Sequence, residues 1–97
     1  MVIGACKVVL FIPDNQSLKG KRHVIKSIVQ RVRNTFNVSI AEVEDQDLWQ
    51  KSTLGVSCVS NDARHVNEVL SKVVEFIENS HTEAQLYDYE IEIVNAL

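Results

Sequence analysis

Lys19, Arg22, Lys26 and Arg33 recur within the stretch SLKGKRHVIKSIVQRVRNTF, residues 17–36, with Gln30 filling the longest gap between them. On a helix of 3.6 residues per turn these four cations fall on one stripe, next to the apolar stripe rather than opposite it. Such a stripe can bind anions, and its length suits the phosphates of a nucleic-acid backbone. The whole stretch carries six Lys or Arg residues and no Asp or Glu. Lys19, Lys21 and Arg22 fall in the first turns, where the helix end is itself positive, and each like charge there costs about 0.3 to 1 kcal/mol. Arg22 and Lys26 also repel at i,i+4. No acid nearby in sequence offsets this conflict, and an uncompensated conflict points to a functional site. Ser17 as N-cap, with Lys19, Gly20, Lys21 and Arg22, is expected to shape a phosphate site at the helix start, Gly20 leaving room for another backbone to approach.

Other chemistry-bearing residues give weaker patterns. Glu42, Glu44, Asp45 and Asp47 form an acidic knot at a hairpin mouth, where carboxylates are more often solvated or paired with cations than wrapped around magnesium. Trp49 beside them could stack on a base or meet a protein partner, but covering one end of the core is the expected role. His23, His65 and His81 are far apart in the chain and read as surface residues. Cys6 and Cys58 fall within apolar strand patterns and read as core. No nucleophile and base arrangement, nucleotide-binding glycine loop or zinc spacing is present, so neither an enzyme nor a metal or other cofactor is expected.

These residues must be positioned by a short series of elements. Residues 2–12 are an unbroken apolar run closed by Pro13, a central strand. Ile25, Ile28, Val29, Val32 and Phe36 repeat at helical spacing after Ser17. NVSIAEVE and LGVSCVS give the second and third strands, joined by DQDLWQKST. Asn61 or Asp62 caps a second helix with the apolar stripe Val66, Val69, Leu70, Val73 and Ile77, ending near Asn79. QLYDYEIEIV alternates, placing Tyr87, Tyr89, Ile91 and Ile93 on one face and Asp88, Glu90 and Glu92 on the other. The order βαββαβ predicts an α+β, ferredoxin-like single domain over residues 1–97: a four-stranded antiparallel sheet with two helices on one face. On the open face, Lys7 is accompanied by Ala5, Val9 and Phe11, an apolar set that a homodimer through that face would cover. The third strand adds only Thr53, Gly55, Ser57 and Val59 there, without the stacking aromatics of RNA-recognition domains, so backbone or shape recognition is expected, with no DNA sequence readout.

Composition is that of an ordinary globular domain, 45% apolar and 24% charged. The N-terminal apolar run has no basic leader and is broken by Lys7, so neither a signal nor a membrane anchor is expected, and a cytoplasmic location is. The net charge of -3 conceals an asymmetry: residues 1–41 hold seven basic residues and one acid, a balance of +6, and residues 42–97 hold three basic residues and twelve acids, a balance of -9. The acids from Glu42 onward could therefore neutralise the basic helix across the fold, and binding and internal pairing both stay open.

The segments SLKGKR, FNVSIAEVEDQDLWQ and LGVSCVSND closely resemble the YlxP-like family of small bacterial proteins, a domain of unknown function, and the likeness spans nearly the whole chain. The resemblance implies a ferredoxin-like fold and, because family genes often lie beside those for translation initiation factor 2 and ribosome-binding factor A, a role near the ribosome or RNA. It supplies no catalytic residues. Two functions follow as expectations. The first is a non-catalytic accessory protein that holds structured RNA or a ribosomal subunit through Lys19, Lys21, Arg22, Lys26 and Arg33. The second is an interaction module in which the basic helix meets Glu42, Asp45, Asp47 and Trp49 of a neighbouring copy or another partner.

Overall fold

The computed structural model describes residues 1–80 and 83–97. The elements are β1 (Val2–Phe11), α1 (Leu18–Thr35), β2 (Ser39–Glu44), β3 (Lys51–Ser60), α2 (Ala63–Ser80) and β4 (Gln85–Asn95). They form one antiparallel sheet in the order β2-β3-β1-β4, the ferredoxin-like α+β arrangement. Burial on β1 alternates with the pleat. Val2, Cys6, Val8 and Leu10 are buried on the helix side, and Ala5 and Lys7 are exposed on the open side. Val24, Ile25, Ile28 and Val32 of α1, with Val66, Leu70, Val73 and Ile77 of α2, complete the core. Gly4 lets α2 settle directly on β1: a Cβ there would run into Val66 and come within 2.7 Å of Leu70.

Local signals set the helix ends. Ser17 accepts the Gly20 N–H at 3.0 Å and opens α1. Of the two candidate caps for α2, Asp62 takes the role, its carboxylate accepting the Arg64 N–H at 3.0 Å. Arg31 donates to the Ser80 carbonyl at 2.6 Å, closing the C-terminus of α2 with a cation from α1. Phe36 and Phe76 meet edge to face with centroids 5.5 Å apart and join the same ends.

Two departures from the sequence pattern shape the surface. β3 begins at Lys51, three residues before the apolar run, because Lys51, Ser52 and Thr53 pair with Phe11, Leu10 and Val9. Pairing with a central strand outweighs their polarity, and the hairpin connection contracts to residues 45–50. On β4 the register against β1 shifts between Val9 and Leu10, leaving Tyr87 as the extra residue. Tyr87 thereby leaves the face of Ile91 and Ile93 and packs edge-on against Phe11 on the open side, centroids 4.7 Å apart. Strict alternation would have placed Tyr87 with Tyr89.

Candidate nucleic-acid interface

The start of α1 turns one of its cations inward. Lys21 stands four, seven and eleven residues before Ile25, Ile28 and Val32, which places it in line with the core stripe. It is only 1% exposed. Its ammonium group lies 3.0 Å from the Glu42 carboxylate and donates to the Asp45 carbonyl. Ser52, buried on the helix side of β3, donates to the same Glu42 carboxylate at 2.6 Å. Asp45, in the left-handed region at φ 66°, accepts from the Thr53 hydroxyl at 2.6 Å and faces Lys51 at 3.8 Å. Among the described residues no buried side-chain nitrogen or oxygen lacks a partner, as a charge taken out of water requires.

This network corrects the expectation that Lys21 contacts a phosphate: its charge is enclosed and already met by a carboxylate of the same chain. It also splits the acidic knot. Glu42 and Asp45 serve the internal joint, Glu44 reaches Lys7 at 3.7 Å on the open face, and Asp47 is exposed. The basic helix and the acidic hairpin therefore meet within one molecule, through Lys21.

A second joint lies beside the first. The Asn15 amide donates to the Ser17 carbonyl and to the Trp49 carbonyl, both at 2.6 Å, and Gln50 donates to the Pro13 and Asn15 carbonyls at 3.1 and 3.0 Å. The first turn of α1 and the hairpin tip are thus held together through the segment that joins β1 to α1. Gly20 suits this joint because a Cβ at that position would strike the Asn15 side chain and sit 3.1 Å from the Ser17 hydroxyl. The space that Gly20 opens is filled by this clamp, and the Ser17 hydroxyl caps its own helix, so neither residue offers the free phosphate cradle that the sequence led us to expect.

Trp49 also departs from expectation. It is 54% exposed and stands outside the core cluster. It lines a shallow groove with Phe11, Pro13, Leu48, Gln50 and Lys51 at the end of the open face. The apolar pattern does not reveal this, because Trp49 lies in the connection between β2 and β3, outside the period of any strand or helix.

The remaining cations divide by the sides of α1. Arg31 points to α2, whereas Arg33 donates to the Ile40 carbonyl of β2 at 3.0 Å, so the stripe that ends in Arg33 runs along the β2 side of the helix, away from α2. Lys19, Arg22 and Lys26 on that stripe are exposed, and none has a carboxylate partner among the described residues. Three of the seven candidate anion-binding residues hence form an open cationic edge, Arg33 sits at its far end tied to β2, and Ser17, Gly20 and Lys21 build the joint beneath.

His23 and His65 are exposed, and His81 lies outside the described residues. Cys6 is buried and free, and burial pushes its thiol up to about 11; Cys58 is raised for the same reason. No helix of the described residues is long and apolar enough to cross a membrane.

Comparison with known proteins places this geometry in context. A family described as "Protein of unknown function (DUF503)" matches residues 3–91. The Uncharacterized protein YlxP of Bacillus subtilis (strain 168) is 41% identical over 78 residues, covering 80% of this chain and 85% of that protein.

Proposed function

The chain belongs to the DUF503 family of proteins of unknown function, and from that premise we propose that it is a non-catalytic, cytoplasmic accessory protein that holds the phosphate backbone of structured RNA, free or within a ribosomal subunit. One observation carries this reading. Lys19, Arg22 and Lys26 stand side by side on an exposed helix edge with no carboxylate to meet them among the described residues, although the chain as a whole is acidic and supplies a carboxylate to Lys21 between Lys19 and Arg22. Acids were within reach of this helix, and they meet its buried cation.

Phosphates arriving on the edge release counterions, so affinity should fall steeply as salt rises. The test compares retention of bulk structured RNA by the wild-type chain and by a variant with Lys19→Gln, Arg22→Gln and Lys26→Gln over a salt series. The variant folds normally and its slope of log affinity against log salt is shallower by about 2 to 3. Equal slopes reject the reading.

We also place a second copy against the open face, at the end where Ile3, Val59 and Val94 meet, since Val59 is 64% exposed there and the Phe11 end would stay free. A molar mass that stays monomeric at high protein concentration removes this part of the reading.

A further inference from the structure

The groove at the hairpin tip combines features that the phosphate edge lacks. Phe11, Pro13, Leu48 and Trp49 give it apolar walls, and Lys51 and Gln50 give it polar ends. Tyr87, 67% exposed, extends the aromatic row through its contact with Phe11. Trp49 is the single tryptophan of the chain and is left half in water while its backbone is fixed by Asn15. A large ring held open on a fixed backbone loses little freedom when a flat ligand stacks on it.

The position of the groove decides which flat ligand. Asn15 joins the Trp49 carbonyl directly to the Ser17 carbonyl, so the backbone of the hairpin tip lies against the N-cap of α1, two residues before Lys19, where the cationic edge begins. Lys51 adds positive charge at the groove itself, partly met by Asp45 at 3.8 Å. A strand whose phosphates lie on Lys19 and Arg22 would bring its neighbouring nucleotide to the tip.

We propose that Trp49 and Phe11 form a stacking site for an unpaired nucleobase of the RNA whose backbone lies on the α1 edge. This rests on the phosphate-binding reading and adds the class of nucleic acid: a structured RNA with a bulged, looped or terminal unpaired base beside the contacted phosphates. Stacking is indifferent to base identity, which agrees with the sparse hydrogen-bonding groups of the groove.

The test uses two labelled strands of equal length, a short oligouridylate and a strand of abasic sugar-phosphate units, with binding followed by anisotropy and by Trp49 emission. The base-bearing strand should quench Trp49 and bind about tenfold more tightly than the abasic one. Trp49→Leu keeps the groove apolar but should bring the two strands to equal affinity, leaving abasic binding unchanged. Equal affinities and no quenching in the wild type overturn the stacking site while the phosphate edge stands, whereas failure of both strands to bind overturns both readings. An emission shift that follows protein concentration and ignores RNA assigns the groove to a second copy and also overturns the proposal.

Discussion

The Lys21 ammonium group and the Glu42 carboxylate, 3.0 Å apart, join the first turn of α1 to the β2–β3 hairpin, and the lysine is shut away from water. A cation in the core stripe of a helix is tolerated only when its charge is paired and hydrogen-bonded, here by Glu42 and the Asp45 carbonyl. The pair is therefore a point of orientation: it fixes where the hairpin tip lies relative to the cationic edge.

Removing Lys21 leaves the Glu42 carboxylate, only partly exposed, without its cation. Lys21→Gln should destabilise the fold by about 1 to 3 kcal/mol, measured as a drop in urea midpoint. Lys19→Gln, on the exposed edge, should shift it by no more than about 0.5 kcal/mol. Similar small shifts at both positions would mean that the joint is dispensable.

Gly20 gives a second asymmetry. Alanine normally stabilises a helix by roughly 0.5 to 1 kcal/mol over glycine. At position 20 its methyl group would displace Asn15 and with it the bond to Trp49. Gly20→Ala should therefore destabilise and change Trp49 emission, whereas a gain in stability with unaltered emission would show that the clamp yields at no cost.

The fold was legible because its signals are local and repeated. The run of residues 2–12, the helical spacing from Val66 to Ile77 and the caps Ser17 and Asp62 act within a few residues of themselves. Even the open-face set of Lys7, Ala5, Val9 and Phe11 followed from the pleat. The site was legible only in part. The spacing of Lys19, Arg22 and Lys26 predicts one stripe and the three side chains are exposed, but the charge of Lys21 masks its alignment with Ile25, Ile28 and Val32. Its partners are 21 and 24 residues away in sequence, and no rule about neighbours along a helix reaches them. Tyr87 departs from the alternation for a similar reason: a bulge is set by pairing with β1, not by the pattern of β4 itself.

Burial of Cys6 makes stability depend on alkaline pH. Its thiol titrates near 9.0 in the unfolded chain and at about 11 when folded. A raised folded value means that its contribution is complete below pH 9.0 and is lost as pH rises through about 11. Chemical denaturation at a series of pH values should show this decline in the wild type. Cys6→Ala lowers the curve by a constant amount for its cavity and lacks that component. Parallel curves would contradict the assignment.

The exposed cations make an opposite prediction about stability and function. Lys19 and Arg22 stand near the positive end of α1, and Arg22 and Lys26 are a like-charged i,i+4 pair, so each should weaken the isolated domain. Lys19→Glu and Arg22→Glu together should raise the thermal midpoint by several degrees, the sum of the relieved repulsion and the restored dipole match at about 0.3 to 1 kcal/mol per site. The same variant should lose RNA retention. High salt should shrink the stability gain, since both terms are screened at the surface. A lower midpoint would be the damaging result, because it would mean that these ammonium and guanidinium groups already stabilise the free protein and need no anionic partner to offset their repulsion.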